Sequence, residues 1–380
     1  MTSVYDLRIA GGTVFDASQN LAAQADVLVQ DSRVAAVGED LAGEARQTLD
    51  ASGRYVTPGL VDLHMHAYWG VSHYGIDADE GCLPRGVTTA IDAGSSGAIT
   101  FPGLRRYVIE RQRTRLYAFL HIAAAGMFSR DVGESADERL LDVDRAIETI
   151  NANRDVIVGI KIRQTDRLVG SLGSRPLRDA IRAAEATGLP VMLHIGNTPV
   201  PLEELLSMLR TGDIVTHSFR GAVGDGLLGP DERVRPAVLE ARERGVRFDI
   251  GHGSGSFSFD SAEQLVAQGF LPDTISSDLH IYSLPGPVYD LANVLSKFLF
   301  LGLSLEQVFA RATLAPTQAV ALADGIGTLG TGAPADIAIW ELRDEAVTFM
   351  DSLGRTRQGS RQLEPVAVIR EGEVVRSALA

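Results

Sequence analysis

The residues that could do chemistry begin in Thr57–His66, TPGLVDLHMH, where an apolar run ends in two histidines one residue apart. On a β-strand, residues i and i+2 share a face, so His64 and His66 present two imidazoles side by side. Neutral imidazole is the commonest nitrogen ligand for zinc, and such a pair can form the first half of a metal site. His-x-His alone is weak evidence, because two polar residues in a loop look the same. Further along, other apolar runs end in groups of the same kind. Lys161 follows Val156-Ile-Val-Gly-Ile, His194 follows Val191-Met-Leu, His217 follows Ile214-Val-Thr, and Asp278 follows Ile275-Ser-Ser. Each alone has a plain explanation, such as a satisfied histidine or a solvated lysine. Repeated from strand to strand, the pattern outgrows it.

The elements that must position these groups follow from the hydrophobic pattern. From Pro58 onward, strands ending near His64, Asp92, His121, Lys161, His194, His217, Ile250 and Asp278 alternate with helical spacing over 137–150, 177–186, 201–209 and 231–244. This is an α/β pattern, and eight β/α alternations within about 250 residues predict a (β/α)8 barrel, whose active face is built from the loops after the strands. An open doubly wound sheet is the alternative, but no Gly-x-Gly-x-x-Gly turn follows an early strand. Helical spacing continues through 288–301, 304–312 and 316–323. Residues 1–57 read as short strands punctuated by Gly, Asp and Ser, an antiparallel β unit in style. Residues 326–380 have the same texture, so both chain ends are expected to pair into one small β-sandwich beside a barrel spanning 58–325.

The ordered set of strand-end ligands, the opening PGLVDLHMH, the stretch Gly86-Val-Thr-Thr-Ala-Ile-Asp-Ala-Gly94 and the closing Gly327-Thr-Leu-Gly-Thr-Gly-Ala-Pro-Ala-Asp-Ile-Ala338 together resemble the amidohydrolase superfamily. The resemblance is to its binuclear members with a lysine on the fourth strand. DAGSSGA at 92–98, GIKIRQ at 159–164 and DIGHGSGSFSF at 249–259 are similar to the dihydroorotase-like or deacetylase-like branch. The resemblance implies that His64, His66 and Asp278 bind one divalent ion, His194 and His217 a second, and that Lys161 bridges them. A lysine ammonium has no acceptor, so bridging implies a CO2-derived carbamate on Lys161. It further implies two ions, zinc by default, sharing a hydroxide that attacks a carbonyl while Asp278 handles the proton. The expected substrate is a small acylated carboxylate, such as an acetylated 2-hydroxy acid or an N-acyl amino acid. Alternatives are a cyclic-amide hydrolase of dihydroorotase or hydantoinase type, and a non-catalytic scaffold with the same fold. Nucleobase deamination is disfavoured by the lack of an evident aromatic clamp.

Around the ligands, Arg163 is two residues beyond Lys161 and could clamp a carboxylate from the same strand face. His252, between Gly251 and Gly253, is expected to contact substrate, and Tyr282 and His280 to orient it. His121 is a further candidate for lining the pocket, whereas His73 and Cys82 read as structural.

The chain has 380 residues, 45% hydrophobic and 22% charged, the composition of a globular protein able to bury its own core. A net charge of −14 argues against nucleic acid or an anionic membrane as partner. It is compatible with a small, anionic substrate that feels only the local field, and with a homo-oligomer. With Cys82 as its one cysteine, the chain can form no internal disulfide. The N-terminus lacks a basic start followed by an apolar core, so the expected location is the cytoplasm.

Overall fold

The computed structural model describes residues 4–221 and 226–379. Strands β1 (Val4–Asp16), β2 (Leu21–Gln30) and β3 (Arg33–Gly38) form an antiparallel meander. β4 (Glu44–Asp50) and β5 (Tyr55–Pro58) instead pair in parallel with the two halves of β1. The register of β1 against β2 shifts between Ile9 and Gly12, where Gly11 sits at φ +72°. A bulge of this kind bends the strand, so its halves serve different neighbours. The N-terminal unit is therefore mixed rather than antiparallel. The sequence hid β4 because only Leu49 of EARQTLD is buried, which leaves no alternation to detect.

Seven parallel strands follow: β6 (Leu60–Met65), β7 (Val87–Gly97), β8 (Arg115–His121), β9 (Ile157–Arg163), β10 (Val191–His194), β11 (Ile214–Thr216) and β12 (Arg247–Phe248). Every residue of β6, β7 and β9 is buried, as expected where helices cover a parallel sheet. The eighth position is held by residues 274–279, which bridge Thr274 to Asp249 and Leu279 to Met65. The Asp278 amide donates to the His64 carbonyl at 2.6 Å and the His66 amide to the Leu279 carbonyl at 3.0 Å. These bonds close a TIM-type barrel. Helices at Val143–Ala152, Arg175–Thr187, Leu202–Met208 and Pro236–Glu243 correspond to the four predicted spans, although the first and last begin later than predicted, at 143 and 236 rather than 137 and 231. The helix Phe259–Ala267 went undetected in the sequence.

After helices Leu291–Phe300, Leu305–Ala310 and Leu314–Ala319, the chain returns to its start. β13 (Ile337–Met350), β14 (Thr356–Arg370) and β15 (Glu373–Ser377) are antiparallel, and β13 pairs with β5. Both chain ends thus share one eight-stranded sheet, curled around a core that includes Ile9, Val27, Leu49, Val56, Ile337 and Ile369. This is the β-sandwich beside the barrel. The β13–β14 hairpin extends past it, bonding Leu363 N–H to the Ser296 hydroxyl in the barrel's helix layer. Its tip reaches the face where β6–β12 end, and there the Ser352 amide bonds the Phe257 carbonyl at 3.0 Å. Among the described residues, no helix is long and apolar enough to cross a membrane.

Candidate metal centre and pocket

His64 is the last residue but one of β6, with His66 just beyond the strand, and their rings lie 5.5 Å apart, edge to face. Lys161 comes from β9, His194 from the end of β10, His217 from just past β11, and Asp278 from the segment that closes the barrel. All six line one pocket, together with Arg163, His280, Tyr74, Met127 and residues 254–256. His217 and Asp278 both adopt positive φ, at +68° and +48°. Strained backbone of this sort persists only where surrounding contacts hold it, and it concentrates at functional sites.

The hydrogen-bond network decides which atoms face the pocket. The Thr216 hydroxyl donates to Asp249 Oδ2 at 2.8 Å, so it accepts from His64 Nδ1, 2.9 Å away. That leaves the lone pair of His64 Nε2 pointing inward, 3.4 Å from Asp278 Oδ1 and 3.3 Å from Lys161 Nζ. His217 donates from Nδ1 to the Gly251 carbonyl at 2.6 Å, which directs its Nε2 lone pair at His194 Nδ1, 2.8 Å away. His66 Nδ1 meets the Ser95 hydroxyl at 2.9 Å, and its Nε2 lies 3.2 Å from Asp278 Oδ1. Asp249 is fully buried and also accepts from Thr274 and Ser276. Asp92 accepts from the Ala67 and Ser95 amides, fixing the loops behind His66.

Burial sets the protonation states. It pushes His64, His194 and His217 well below the usual imidazole range and His66 down to about 3, so all four are neutral. Burial also lowers Lys161 to about 7 and raises Asp278 to about 6. Lone pairs of neutral imidazoles therefore converge on one another and on a carboxylate, an arrangement that a shared cation satisfies. Ligand atoms of His64, His217 and Asp278 all lie within 4.8 Å of one another, close enough to face a common metal centre. Gly94, at φ +86°, makes room for the lysine: a Cβ there would fall 2.6 Å from Lys161 Cβ.

The secondary candidates divide. Arg163 lines the pocket, with its guanidinium 5.4 Å from the Tyr74 ring centre and 3.4 Å from Glu134. His280 also lines it, held at about 4 chiefly by burial. Tyr282 stands outside the lining, 42% exposed and edge-on to Tyr74. His252 faces away from the pocket. It is fully buried, stacks on Phe257, and has both ring nitrogens bonded, to Gly253 O and Lys297 Nζ. Glycine at 251 and 253 did signal close approach, but of backbone to His217 and Asp278 rather than of a ligand to His252. His121 is also buried off the pocket, its Nδ1 accepting from the Ala123 amide and its Nε2 facing Glu134 at 3.6 Å. Cys82 is buried in the barrel core.

Tyr74, Met127, Glu134 and the 254–256 wall were missed in the sequence. All lie in long loops, where no periodicity marks an inward face. Tyr74 stacks against His66 at 5.2 Å and meets His280 at 4.8 Å, giving the pocket an aromatic side that the sequence did not display.

Comparison with known proteins places this geometry. The model of the Amidohydrolase family matches residues 55–209 and 237–375. A deacetylase of Agrobacterium fabrum is 37% identical over 93% of this chain and 87% of its own length. The solved structure of an adenine deaminase superposes with a TM-score of 0.91 at 31% identity, covering 98% of this chain and all of that one. That of a dihydroorotase does so with a TM-score of 0.90 at 33% identity and the same coverage. With buried neutral imidazoles, a lysine and an aspartate gathered at the mouth of a TIM-type barrel, this chain belongs to the amidohydrolase family and is a metal-dependent hydrolytic enzyme.

Proposed function

We propose that the enzyme hydrolyses the ester or amide bond of a small acylated carboxylate, an acetylated 2-hydroxy acid or N-acyl amino acid. The observation that carries this reading is Arg163, a buried cation on the wall of the ligand pocket, whose Nε–H has no hydrogen-bond partner among the described residues. A guanidinium so placed suits a substrate carboxylate, while the scissile carbonyl lies toward the histidines. The deacetylase name of the A. fabrum relative supports the acyl group.

In this reading His64, His66 and Asp278 hold one divalent ion and His194 and His217 the other, with zinc suited to the imidazole set. When bound, the ions polarise the carbonyl and lower the pKa of water. Lys161 contributes through its amine. Held near 7 by burial, it is available unprotonated to add CO2, which forms the N–C bond of a carbamate and releases one proton. Such a carbamate would supply oxygen ligands to the ions, which a lysine ammonium cannot. Asp278 accepts a proton from the attacking water and passes it to the leaving oxygen or nitrogen.

Asp278→Asn tests the assignment: turnover should be lost with ions still bound, and retained turnover removes Asp278 from the role. Assay of O-acetyl 2-hydroxy acids, N-acetyl amino acids and cyclic imides tests the substrate. The structural likeness to a dihydroorotase keeps cyclic amides as the second reading, and turnover confined to the imides would establish it.

A further inference from the structure

Ser254, Gly255 and Ser256 form one wall of the pocket. Among the described residues, their backbone amides and the two hydroxyls make no hydrogen bond. The wall therefore offers donors, and no charged group, to whatever occupies the pocket.

Its two ends, by contrast, are pinned. At one end the Gly253 carbonyl accepts from His252 Nδ1 at 2.9 Å and from the Ser352 hydroxyl at 3.0 Å, and the Gly253 amide bonds Ser277 O at 2.9 Å. At the other end, the Phe257 amide donates to the same Ser352 hydroxyl at 3.2 Å, and the Ser352 amide donates to the Phe257 carbonyl at 3.0 Å. One serine in the tip of the β13–β14 hairpin thus clasps both ends of the loop. The tip has its own anchor. Lys297 Nζ donates to Met350 O at 2.8 Å, Pro287 O at 2.9 Å and His252 Nε2 at 2.8 Å, giving all three ammonium hydrogens a partner. Gly253 has no slack, since a Cβ there would lie 2.2 Å from Asp278 Oδ2.

We propose that the 254–256 wall shares with Arg163 the binding of the substrate's carboxylate, through its unpaired amides and hydroxyls, and that Ser352 is the positioning residue that shapes it. The carboxylate as ligand rests on the function proposed above; the positioning by Ser352 does not. Successive free N–H groups in a loop make an anion-binding concavity when the loop's ends are fixed. His252 and Lys297 serve the same wall from behind.

The test compares Ser352→Ala and Ser352→Thr with the wild type, on O-acetyl lactate and on its methyl ester. Ser352 is only partly buried, and Ala removes one hydroxyl, so folding is retained. Ser352→Ala should raise KM for O-acetyl lactate about ten-fold, the scale of one hydrogen bond to a charged group. It should change KM for the ester less, keep the bound metal, and be rescued by Ser352→Thr. An unchanged KM, equal losses on both probes, or loss of metal together with kcat overturns the proposal. A wild type inactive on both probes tells instead against the acyl-carboxylate reading. The positioning role is then read from amide exchange over 253–257, faster in Ser352→Ala if Ser352 holds the loop and unchanged if it does not.

Discussion

Thr216 fixes the tautomer of His64: its hydroxyl lies 2.9 Å from Nδ1 and, already donating to Asp249, can only accept the imidazole hydrogen. The inward lone pair of His64 thus depends on a residue outside the pocket lining. Thr216→Val keeps the shape and deletes the acceptor. Metal affinity should fall by about 10- to 100-fold, the usual cost of losing an outer partner of a ligand histidine. Competition against a chelating dye measures it, and an unaltered affinity shows that Thr216 does not set the tautomer.

Gly94→Ala should damage the lysine's seat. The new methyl would fall 2.6 Å from Lys161 Cβ, in a backbone at φ +86° that disfavours any side chain. A loss of about 1–3 kcal/mol in stability is expected, with reduced metal content. Denaturant unfolding and elemental analysis report the two effects separately.

Glu134 should govern part of the acid limb of stability. Burial alone would raise its carboxyl, but the Arg163 guanidinium and the His121 ring more than offset this and hold it at about 2, against an ordinary value of 4.5. A depressed carboxylate stabilises the fold fully above its unfolded pKa. That contribution is lost as pH falls through the window from 4.5 to about 2. It amounts to about 3 kcal/mol at neutral pH. Glu134→Gln should therefore unfold more readily than wild type near pH 6 and lose the difference toward pH 2. Parallel denaturation curves across that range decide it, and parallel acid limbs for the two proteins would contradict the assignment.

Removing the ions should lower the melting temperature. Ions that bind only the folded state stabilise it by about 4 kcal/mol when present at a thousand times Kd. A chelator should abolish that increment, and added zinc should restore it. Recovery of activity should also need bicarbonate if Lys161 is carboxylated. Full recovery in CO2-free buffer removes the carbamate from the scheme.

What the sequence displayed and what it hid have physical causes. The candidate ligands were legible because each closes a mostly apolar run in the sequence, where a polar side chain is conspicuous: Lys161 after Ile160, His194 after Leu193, Asp278 three residues after Ile275, although β9 runs on to Arg163. The barrel was legible from the same alternation, although its eighth position is an irregular segment held by bridges at Thr274 and Leu279. β4 was hidden because an edge-like strand with one buried residue has no pattern. His252 misled because flanking glycines announce close packing without saying what packs. Glu134 and Ser352 were invisible, since each meets its partner across a long separation in the chain. Ser352 is 99 residues from Gly253.

That last separation has a consequence for how the molecule is made. Every side chain proposed above as a metal ligand lies at or before residue 278, whereas Met350 and Ser352 are made later. A growing chain therefore holds its whole set of ligands before it owns the clasp that finishes the wall beside them. On the proposed roles, a chain stopped before the β13–β14 hairpin would carry the pocket histidines without the clasp on residues 253–257.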